Sequence, residues 1–255
     1  MLNIGGPGGI RTPDPRINLR VTFIPQSEQE AIRHMNFSGD NLAMAIYTPT
    51  NVELQVSAMP ILDSKTAEYE GLLHAANLML ISARTAPKSG GVDDVLTLII
   101  VGKEKDNLAG EMDRIAEERK ISGFNRDADN LRNSEATILV GVRGTTSYGL
   151  NCGACGYETC SEFDQAEKKE GMDFTGPNCI FKSLDLGIAL GSAAKTASIL
   201  NVDNRIMYRI GTAAKRLGLM PEASVIMGIP LSVKGKSIYF DRTPTTPALN
   251  VHKTS

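Results

Sequence analysis

Four cysteines lie close together in this 255-residue chain, and they are the residues best suited to do chemistry. They are Cys152, Cys155, Cys160 and Cys179, separated by two, four and eighteen residues. A thiolate is a soft, strongly donating ligand, and four thiolates satisfy either one zinc ion or a cluster of four irons. The sequence therefore predicts a metal or iron–sulfur site.

The spacing of the cysteines separates these two kinds of site only in part. Structural zinc sites usually combine two short cysteine pairs held apart by a longer loop, whereas here three cysteines come together and the fourth is alone. Three near ligands and one remote ligand are typical of iron–sulfur proteins, although the order of gaps differs from both bacterial and plant ferredoxins. We favour an iron–sulfur site for electron transfer. The alternative is a zinc site that organises a structure or an interaction surface without redox activity.

The residues around the cysteines fit a bulky cofactor. Gly153 and Gly156 leave no side chain beside the ligands, which lets the backbone fold around a cluster and direct N–H groups at its sulfurs. Pro177 can stiffen the approach to Cys179. Three aromatic residues either shield the site from water or are ordinary core residues: Tyr157, Phe163 and Phe174.

The composition restricts the partners of the chain. A hydrophobic fraction of 42%, a charged fraction of 22% and a net charge of −2 describe a soluble protein without an electrostatic preference for nucleic acid or membrane. No apolar run is long enough for a transmembrane helix, and no secretory signal is recognisable. We expect a cytoplasmic protein, where cysteines are more often ligands than disulfides. Its partner would be a redox protein or a small-molecule acceptor.

Both ends of the chain lack the periodicity of packed elements. Residues 1–58 contain the string GGPGGIRTPDPR, which resembles over-extended gene predictions that read through a transfer-RNA gene. We expect residues 1–58 to be a disordered or mis-annotated leader, with a weak strand pattern at 51–57, and translation to start at Met59. We expect residues 246–255 to form a disordered tail.

Strands and helices alternate after Met59, which predicts one layered α/β or α+β domain over residues 59–245. Helices are expected at residues 64–84, 105–120, 125–133 and 181–200, and from a cap at Asp203 or Asn204 to Leu217. Buried strands are expected at Val95–Val101, Ala136–Val142 and 223–229, the last one stopped by Pro230. A domain of this size can bury a core without metal, so the cysteine segment at 145–183 is predicted to be functional.

Two glycines of the helix at 181–200 affect how this helix packs. Gly187 and Gly191 are four residues apart, which lets another backbone approach closely on that face. This approach would suit either tight core packing or a homodimer. No acid–base pair can be nominated as catalytic, so an activity as an iron–sulfur or flavin-containing oxidoreductase is left open.

The cysteine motif resembles a known cluster-binding domain. The strings NCGACGYETCSEF and GPNC resemble the [4Fe–4S] domain of corrinoid iron–sulfur proteins and of the B subunit of Rnf-type electron-transport complexes. The matching positions are Cys152, Gly153, Cys155, Gly156, Thr159, Cys160, Phe163 and Cys179. The resemblance implies one [4Fe–4S] cluster held by the four cysteines.

A longer region, from about Met59 to Arg242, resembles uncharacterised ferredoxin-domain proteins of anaerobic prokaryotes. The segments that carry this resemblance are ARTAPKSGGVDD, DLGIALGSAAKTA, VDNRIMYRIG and GIPLSVKGKSIYFDR. The resemblance implies a [4Fe–4S] protein and does not imply a substrate.

A further resemblance concerns a flavin. A long first helix that ends in ARTAPK, and a late helix followed by a strand that ends in GIP, are similar to flavin-dependent nitroreductases. This resemblance implies a nitroreductase-like layered domain with an inserted cysteine-rich segment, and FMN as a second cofactor. Arg84 and Lys88 would supply charge for the flavin phosphate, with Lys234 or Lys236 in a late loop. The alternative is that Arg84 and Lys88 are solvated residues at a helix C-terminus, where the helix dipole favours them.

Overall fold

A four-stranded antiparallel sheet lies between two layers of helices in the computed structural model, which describes residues 62–240. The helices are α1 (Ser64–Thr85), α2 (Gly102–Arg119), α3 (Gly123–Arg132), α4 (Cys160–Gln165), α5 (Ile180–Ile199) and α6 (Tyr208–Arg216). The strands are β1 (Val95–Val101), β2 (Ala136–Val142), β3 (Lys169–Glu170), β4 (Thr175–Gly176), β5 (Asp203–Asn204) and β6 (Val225–Ser232). The predicted leader, its strand at 51–57, the start at Met59 and the tail at 246–255 lie outside the described residues.

The sheet has the strand order β1-β2-β6-β5, and β3 and β4 form a separate hairpin. Strand β2 is fully buried and pairs with β6 along its whole length, from Ala136 opposite Leu231 to Val142 opposite Val225. Successive side chains of a strand point to opposite faces. Ile138 and Val140 therefore face α1 and α5, while Leu139 faces α2, α3 and α6. This arrangement confirms the predicted layered domain, and the antiparallel pairing of its strands decides for the α+β alternative.

Strand β1 corrects one prediction. Its bounds are those expected, but it is an edge strand rather than a buried one, and Leu98 and Val101 are each 38% exposed. It has β2 as its sheet neighbour on one side only. An apolar run of this length fits either position, because periodicity does not report where in the sheet a strand lies.

Strand β6 corrects a second prediction, because it continues through Pro230 instead of ending there. Gly228 bonds to Met207 on the β5 side of β6, and Leu231 accepts from Glu135 on the β2 side. The alternation of the strand therefore points the nitrogen of Pro230 toward β5, where regular pairing is interrupted between Asn204 and Met207. A proline is tolerated at such a position because no ladder hydrogen bond is lost.

The start of α6 corrects a third prediction. Asp203 and Asn204 do not cap the helix, since they form β5, and α6 begins at Tyr208. Met207 exchanges backbone hydrogen bonds with Gly228, which keeps the chain extended up to that point. The predicted end is confirmed, as Gly218 adopts a left-handed φ of 71° just after the helix.

The glycine face of α5 is open. A Cβ built at Gly187 or Gly191 would meet no atom within 4 Å, so no backbone of the described chain approaches there. Leu184 and Ile188 are exposed beside these glycines. The homodimer stays a prediction. None of the helices within residues 62–240 has the length and apolarity needed to cross a membrane.

Candidate metal centre

The cysteine segment leaves and rejoins the sheet at one point, the end of β2. Val142 O accepts a hydrogen bond from Ser224 N at 2.9 Å, and Gly144 N donates to Ser224 Oγ at 2.9 Å. Gly144 O then accepts from Cys179 N at 2.8 Å. The remote cysteine is therefore held against the place where the excursion with the other three cysteines begins.

Gly144 is needed for this junction. A Cβ at this position would lie 2.1 Å from Asn178 Oδ1 and 2.8 Å from Ser224 Oγ, so no larger residue fits without moving both. Sequence reasoning singled out Gly153 and Gly156 and missed Gly144. Its only signal was a glycine two residues after a buried strand, where a glycine often marks a site that another part of the chain approaches closely.

The loop around the first two cysteines turns repeatedly through left-handed backbone. The residues with positive φ are Gly149 at 87°, Asn151 at 48°, Gly153 at 72° and Gly156 at 88°. Successive turns of this kind direct backbone N–H groups into a concave surface that favours negative charge. The role predicted for Gly153 and Gly156 as turn formers agrees with their φ values.

Two hydrogen bonds connect this loop to Cys160. Asn151 N donates to Cys160 Sγ at 3.2 Å, and Cys160 N donates to Asn151 Oδ1 at 2.7 Å. The Asn151 N–H is the main cause that lowers the pKa of the Cys160 thiol, with Gly149 N–H as a further donor, and partial desolvation opposes them. The thiolate is the form that binds metal, so these donors favour the ligand state of the sulfur.

Helix α4 fixes Cys160 at its first position. Thr159 Oγ1 accepts from Glu162 N at 3.2 Å, and the Glu162 carboxylate accepts from Thr159 N at 3.4 Å, which completes a capping box. Further along the same helix, both carboxylate oxygens of Asp164 accept from Ser147, its N–H and its hydroxyl, at 2.7 Å each. These contacts hold the chain before the first cysteine against the helix that carries the third.

The three predicted aromatic residues have different positions. Phe163 is fully buried, and Lys168 Nζ lies 3.9 Å from its ring centroid in a cation–π contact. Tyr157 packs edge-on against Phe163 with ring centroids 5.9 Å apart. Tyr157 and Phe174 also line a cavity of about 540 Å³ together with Pro177. Phe163 is therefore a core residue, and the other two border a cavity next to the cysteine segment.

The four cysteines differ in solvent access. Cys179 is buried, Cys155 and Cys160 are half-buried, and Cys152 is exposed. Cys179 directly precedes the first residue of the long helix α5. The N-terminus of a helix carries partial positive charge, which favours negatively charged groups nearby.

A buried lysine follows Cys179 by one helical turn. Lys182 Nζ lies 2.6 Å from Asp94 Oδ2 and donates to Thr146 Oγ1 at 2.6 Å, and its side chain is only 7% exposed. This cation stands between the loop before β1 and the start of the cysteine segment. Sequence reasoning missed it, because a single lysine in the run IFKSLDL gives no sign of burial.

The cysteines share one segment without converging on one point. Within residues 62–240, no three His, Cys, Asp or Glu side chains come together as they would around a metal ion. The chemistry of the donor set nevertheless fits an iron–sulfur cluster, because all four thiols are free, one sulfur accepts a backbone N–H, and another lies at a helix N-terminus. The assignment of Cys152, Cys155, Cys160 and Cys179 as ligands stays a prediction.

Both residues predicted to bind flavin contact protein groups. Arg84 forms an ion pair with Asp93 at 2.5 Å and donates to Val95 O at 2.7 Å. Lys88 is mostly buried and donates to the carbonyls of Ala83 and Ala86 at the end of α1, at 3.0 Å and 2.9 Å. Lys88 thus lies at a helix C-terminus, as in the alternative interpretation, but it is buried there rather than solvated. Flavin binding through Arg84 and Lys88 stays a prediction.

Comparison with known proteins identifies the family. A family model described as "Uncharacterized protein containing a ferredoxin domain (DUF2148)" matches residues 175–242, which include Cys179. A protein of Archaeoglobus fulgidus, called "Uncharacterized protein", is 50% identical over 184 residues, which are 72% of this chain and 98% of that protein. The chain belongs to this ferredoxin-domain family. The membership confirms the family predicted from the segments after Met59 and supports an iron–sulfur role.

The ferredoxin-domain protein is also similar to solved structures of nitroreductases. A nitroreductase with bound FMN from Desulfitobacterium hafniense is 14% identical, with a TM-score of 0.43, over 68% of this chain and 82% of that chain. Nitroreductase A from Vibrio parahaemolyticus is 15% identical, with a TM-score of 0.40, over 71% of this chain and 66% of that chain. At such low similarity, the layered class of the ferredoxin-domain protein rests on its own sheet and helices.

Proposed function

We propose that this protein holds one [4Fe–4S] cluster and transfers single electrons. Its ligands are Cys152, Cys155, Cys160 and Cys179. The observation that carries the proposal is the hydrogen bond from Asn151 N to Cys160 Sγ, because it prepares one sulfur of the set as a thiolate. A bound cluster supplies one-electron redox chemistry over a wide range of potentials.

The surrounding residues offset the negative charge of four thiolates. The N–H of Asn151 points at one sulfur, and the helix dipole of α5 lies behind Cys179. Lys182, one turn into the same helix, is already paired with Asp94 at 2.6 Å, so it adds no net charge. Hydrogen bonds and positive charge near the ligands stabilise added electron density, which raises the reduction potential of such a site.

The exposure of the ligands gives the electron a route. Cys152 is exposed, while Cys179 is buried against the end of β2. Electrons would therefore enter and leave on the side of the three-cysteine loop. A redox protein that docks over this loop, or a small molecule in the cavity lined by Tyr157 and Phe174, would be the acceptor.

Anaerobic purification with metal analysis tests the proposal. We expect a brown protein with iron and acid-labile sulfide in about equal amounts, near four of each per chain. Its visible absorption should bleach with dithionite. A colourless protein that contains stoichiometric zinc would overturn the proposal and support a structural zinc site.

A flavin on the same domain is a separate proposal with its own test. Arg84 is half exposed and bonded mainly to Asp93, so its guanidinium can exchange that partner for a phosphate. Titration with FMN should quench the flavin fluorescence, and Arg84→Gln should weaken this binding. Unquenched FMN with the wild-type protein would contradict flavin binding and leave the cluster proposal untouched.

A further inference from the structure

Three polar residues form one row across the sheet at the end distant from the cysteines. Asp203 of β5 lies opposite Ser232 of β6. Ala136 lies opposite Leu231, and Glu135 N donates to Leu231 O at 3.0 Å, so Glu135 precedes β2 beside Ser232. Residues opposite one another in antiparallel strands share a face. The side chains of Glu135, Ser232 and Asp203 therefore point to the same face of the sheet.

Tyr239 packs on that face. Leu231 belongs to the core beside α1 and α5, so its neighbour Ser232 faces the other core, beside α2, α3 and α6. Tyr239 belongs to this second core and is only 2% exposed. Its ring thus covers the polar row, and its hydroxyl lies within the electrostatic range of both Asp203 and Glu135.

The side chains of this polar row and of Tyr239 contain three buried oxygen atoms without a hydrogen-bond partner. They are Glu135 Oε2, Asp203 Oδ2 and Tyr239 OH. Buried polar atoms are almost always satisfied, so three such atoms on one face call for an explanation. The hydroxyl of Tyr239 donates to neither carboxylate, so a bound species that reaches these oxygens would satisfy them.

The two carboxylates differ in how their charge is compensated. Lys234 Nζ lies 3.6 Å from Glu135 Oε1, the other oxygen of that carboxylate, and Arg205 donates to the backbone oxygen of Tyr239 at 3.0 Å. Within residues 62–240, Asp203 forms no ion pair with a lysine or arginine. Asp203 as a whole is half-buried and its Oδ2 atom is buried, and a cation beside this atom would compensate its charge, which a water molecule would not do.

The state of Tyr239 is compatible with a cation. Burial is the main cause that raises the pKa of Tyr239 far above its usual value, and the carboxylates of Asp203 and Glu135 raise it further. The hydroxyl is therefore neutral, and its oxygen keeps lone pairs that can face a cation. Hard cations such as Mg²⁺ and Ca²⁺ take carboxylate, hydroxyl and water oxygens as ligands.

We propose that Glu135, Asp203 and Tyr239 form a binding site for a hard divalent cation of the Mg²⁺ or Ca²⁺ class. The site joins the segment before β2, strand β5 and the segment after β6, which are far apart in the sequence. A cation bound there holds these segments together. This site is separate from the cysteine segment and does not depend on the cluster.

Calorimetric titration of the full chain tests the site. The protein is treated with a chelator, exchanged into metal-free buffer and titrated with Mg²⁺ and with Ca²⁺ separately, while its visible spectrum is followed to verify that the cluster content is constant. We expect saturable binding of one cation per chain and a higher Tm in its presence. No saturable binding of either cation would overturn the proposal and leave a buried water as the occupant.

Three variants and one control locate the binding. Asp203→Asn should weaken the affinity by more than about tenfold, since it removes a charged ligand while keeping its shape. Glu135→Gln should do the same, and Tyr239→Phe should weaken it less. Glu222→Gln is the control, because Glu222 is an exposed carboxylate paired with Arg143 near the opposite end of β2. Its affinity should equal that of the wild type.

The variants must be folded before their affinities are compared. Far-UV circular dichroism verifies folding, and if Asp203→Asn does not fold, Glu135→Gln and Tyr239→Phe give the comparison. Equal affinity of the wild type and the folded variants would overturn the site. Loss of affinity in the Glu222→Gln control to the same extent would also overturn it, because the binding would then be a general surface effect.

Discussion

Asn151 and Cys160 are hydrogen-bonded to each other in both directions. Asn151 N donates to Cys160 Sγ at 3.2 Å, and Cys160 N donates to Asn151 Oδ1 at 2.7 Å. Asn151 has a φ of 48°, which is a left-handed conformation. Apart from glycine, asparagine is one of the residues that adopt this conformation most readily. One residue therefore provides the turn, the donor to the sulfur and the acceptor that orients the ligand.

This pair predicts an order among variants of Asn151. Asn151→Gly keeps the left-handed turn and the N–H donor and loses only the side-chain acceptor. Asn151→Ala loses the acceptor and must also adopt a positive φ, at a cost of about 1 kcal/mol. We expect iron to be lost to a chelator fastest in Asn151→Ala, more slowly in Asn151→Gly and slowest in the wild type. Equal rates in all three proteins would show that the pair does not stabilise the site.

Cys179→Ser should remove or degrade the cluster without unfolding the protein. The two cores on either side of the sheet contain no cysteine and are formed mainly by aliphatic, methionine and aromatic side chains. Iron content should fall, while the far-UV circular dichroism spectrum should stay that of the wild type. Ser183→Ala is the matched control, since Ser183 donates to Cys179 O at 3.1 Å and supplies no ligand. Global unfolding of Cys179→Ser would mean that the core depends on the metal.

Lys182→Met should destabilise the fold. The substitution leaves Asp94, which is 20% exposed, without its ammonium partner. Removing one partner of a largely buried pair costs about 3 kcal/mol in the free energy of unfolding. Urea denaturation of the cluster-free protein measures this loss. The double variant Lys182→Met with Asp94→Leu should recover part of it, and a double variant as unstable as the sum of the two single variants would refute the coupling.

Asp164 should give the fold a pH dependence in acid. The hydroxyl of Ser147 is the main cause that lowers the pKa of Asp164 below its ordinary value of 3.8, and the N–H of Ser147 acts in the same direction against partial desolvation. A carboxyl with a lowered pKa in the folded state stabilises the fold above its ordinary pKa, and this contribution is lost as pH falls through the lowered value. The stability difference between the wild type and Asp164→Asn should therefore be present at neutral pH and shrink in acid. A difference that is constant with pH would contradict this.

The exposed face of α5 gives a test of the predicted homodimer. Leu184 and Ile188 are four residues apart and flank the open glycines Gly187 and Gly191, so a second copy would find ridges and a groove on one face. Leu184→Lys should shift a dimer to monomer in light scattering after gel filtration. Lys103→Glu, at an exposed position of α2 on the other side of the sheet, is the control. A wild-type protein that is monomeric at all concentrations would remove the dimer from consideration.

The strands show how far sequence patterns reach. Val95–Val101 and Ala136–Val142 are both continuous apolar runs, and both strands have the predicted bounds. Only the second is buried throughout, because it lies between two strands while the first lies at the edge. The identity of the neighbours in a sheet depends on long-range pairing, which local periodicity does not contain. The same limit explains Pro230, whose tolerance depends on the gap in pairing with β5.

The candidate site likewise combines local features that the sequence predicts with long-range contacts that it does not predict. The spacing of the cysteines and the presence of glycines beside them could be predicted to matter from the sequence, because they are local properties of the chain. The sequence does not predict the contact between Lys182 and Asp94 or the contact between Ser147 and Asp164. Each of these contacts joins residues that are far apart in the chain. The cation site of Glu135, Asp203 and Tyr239 has no local signature at all, since its members come from three separate segments.

The hydrogen bond from Cys179 N to Gly144 O bears on how the length of the cysteine segment can vary. Because the cysteine segment begins and ends at one point of β2, its contour can lengthen or shorten without moving the strands or the helices that flank them. The two ends of the segment therefore lie close together, as the ends of an inserted segment do. A short turn in its place would leave the two cores intact, and a different insert at the same junction would give the same layered body another chemistry.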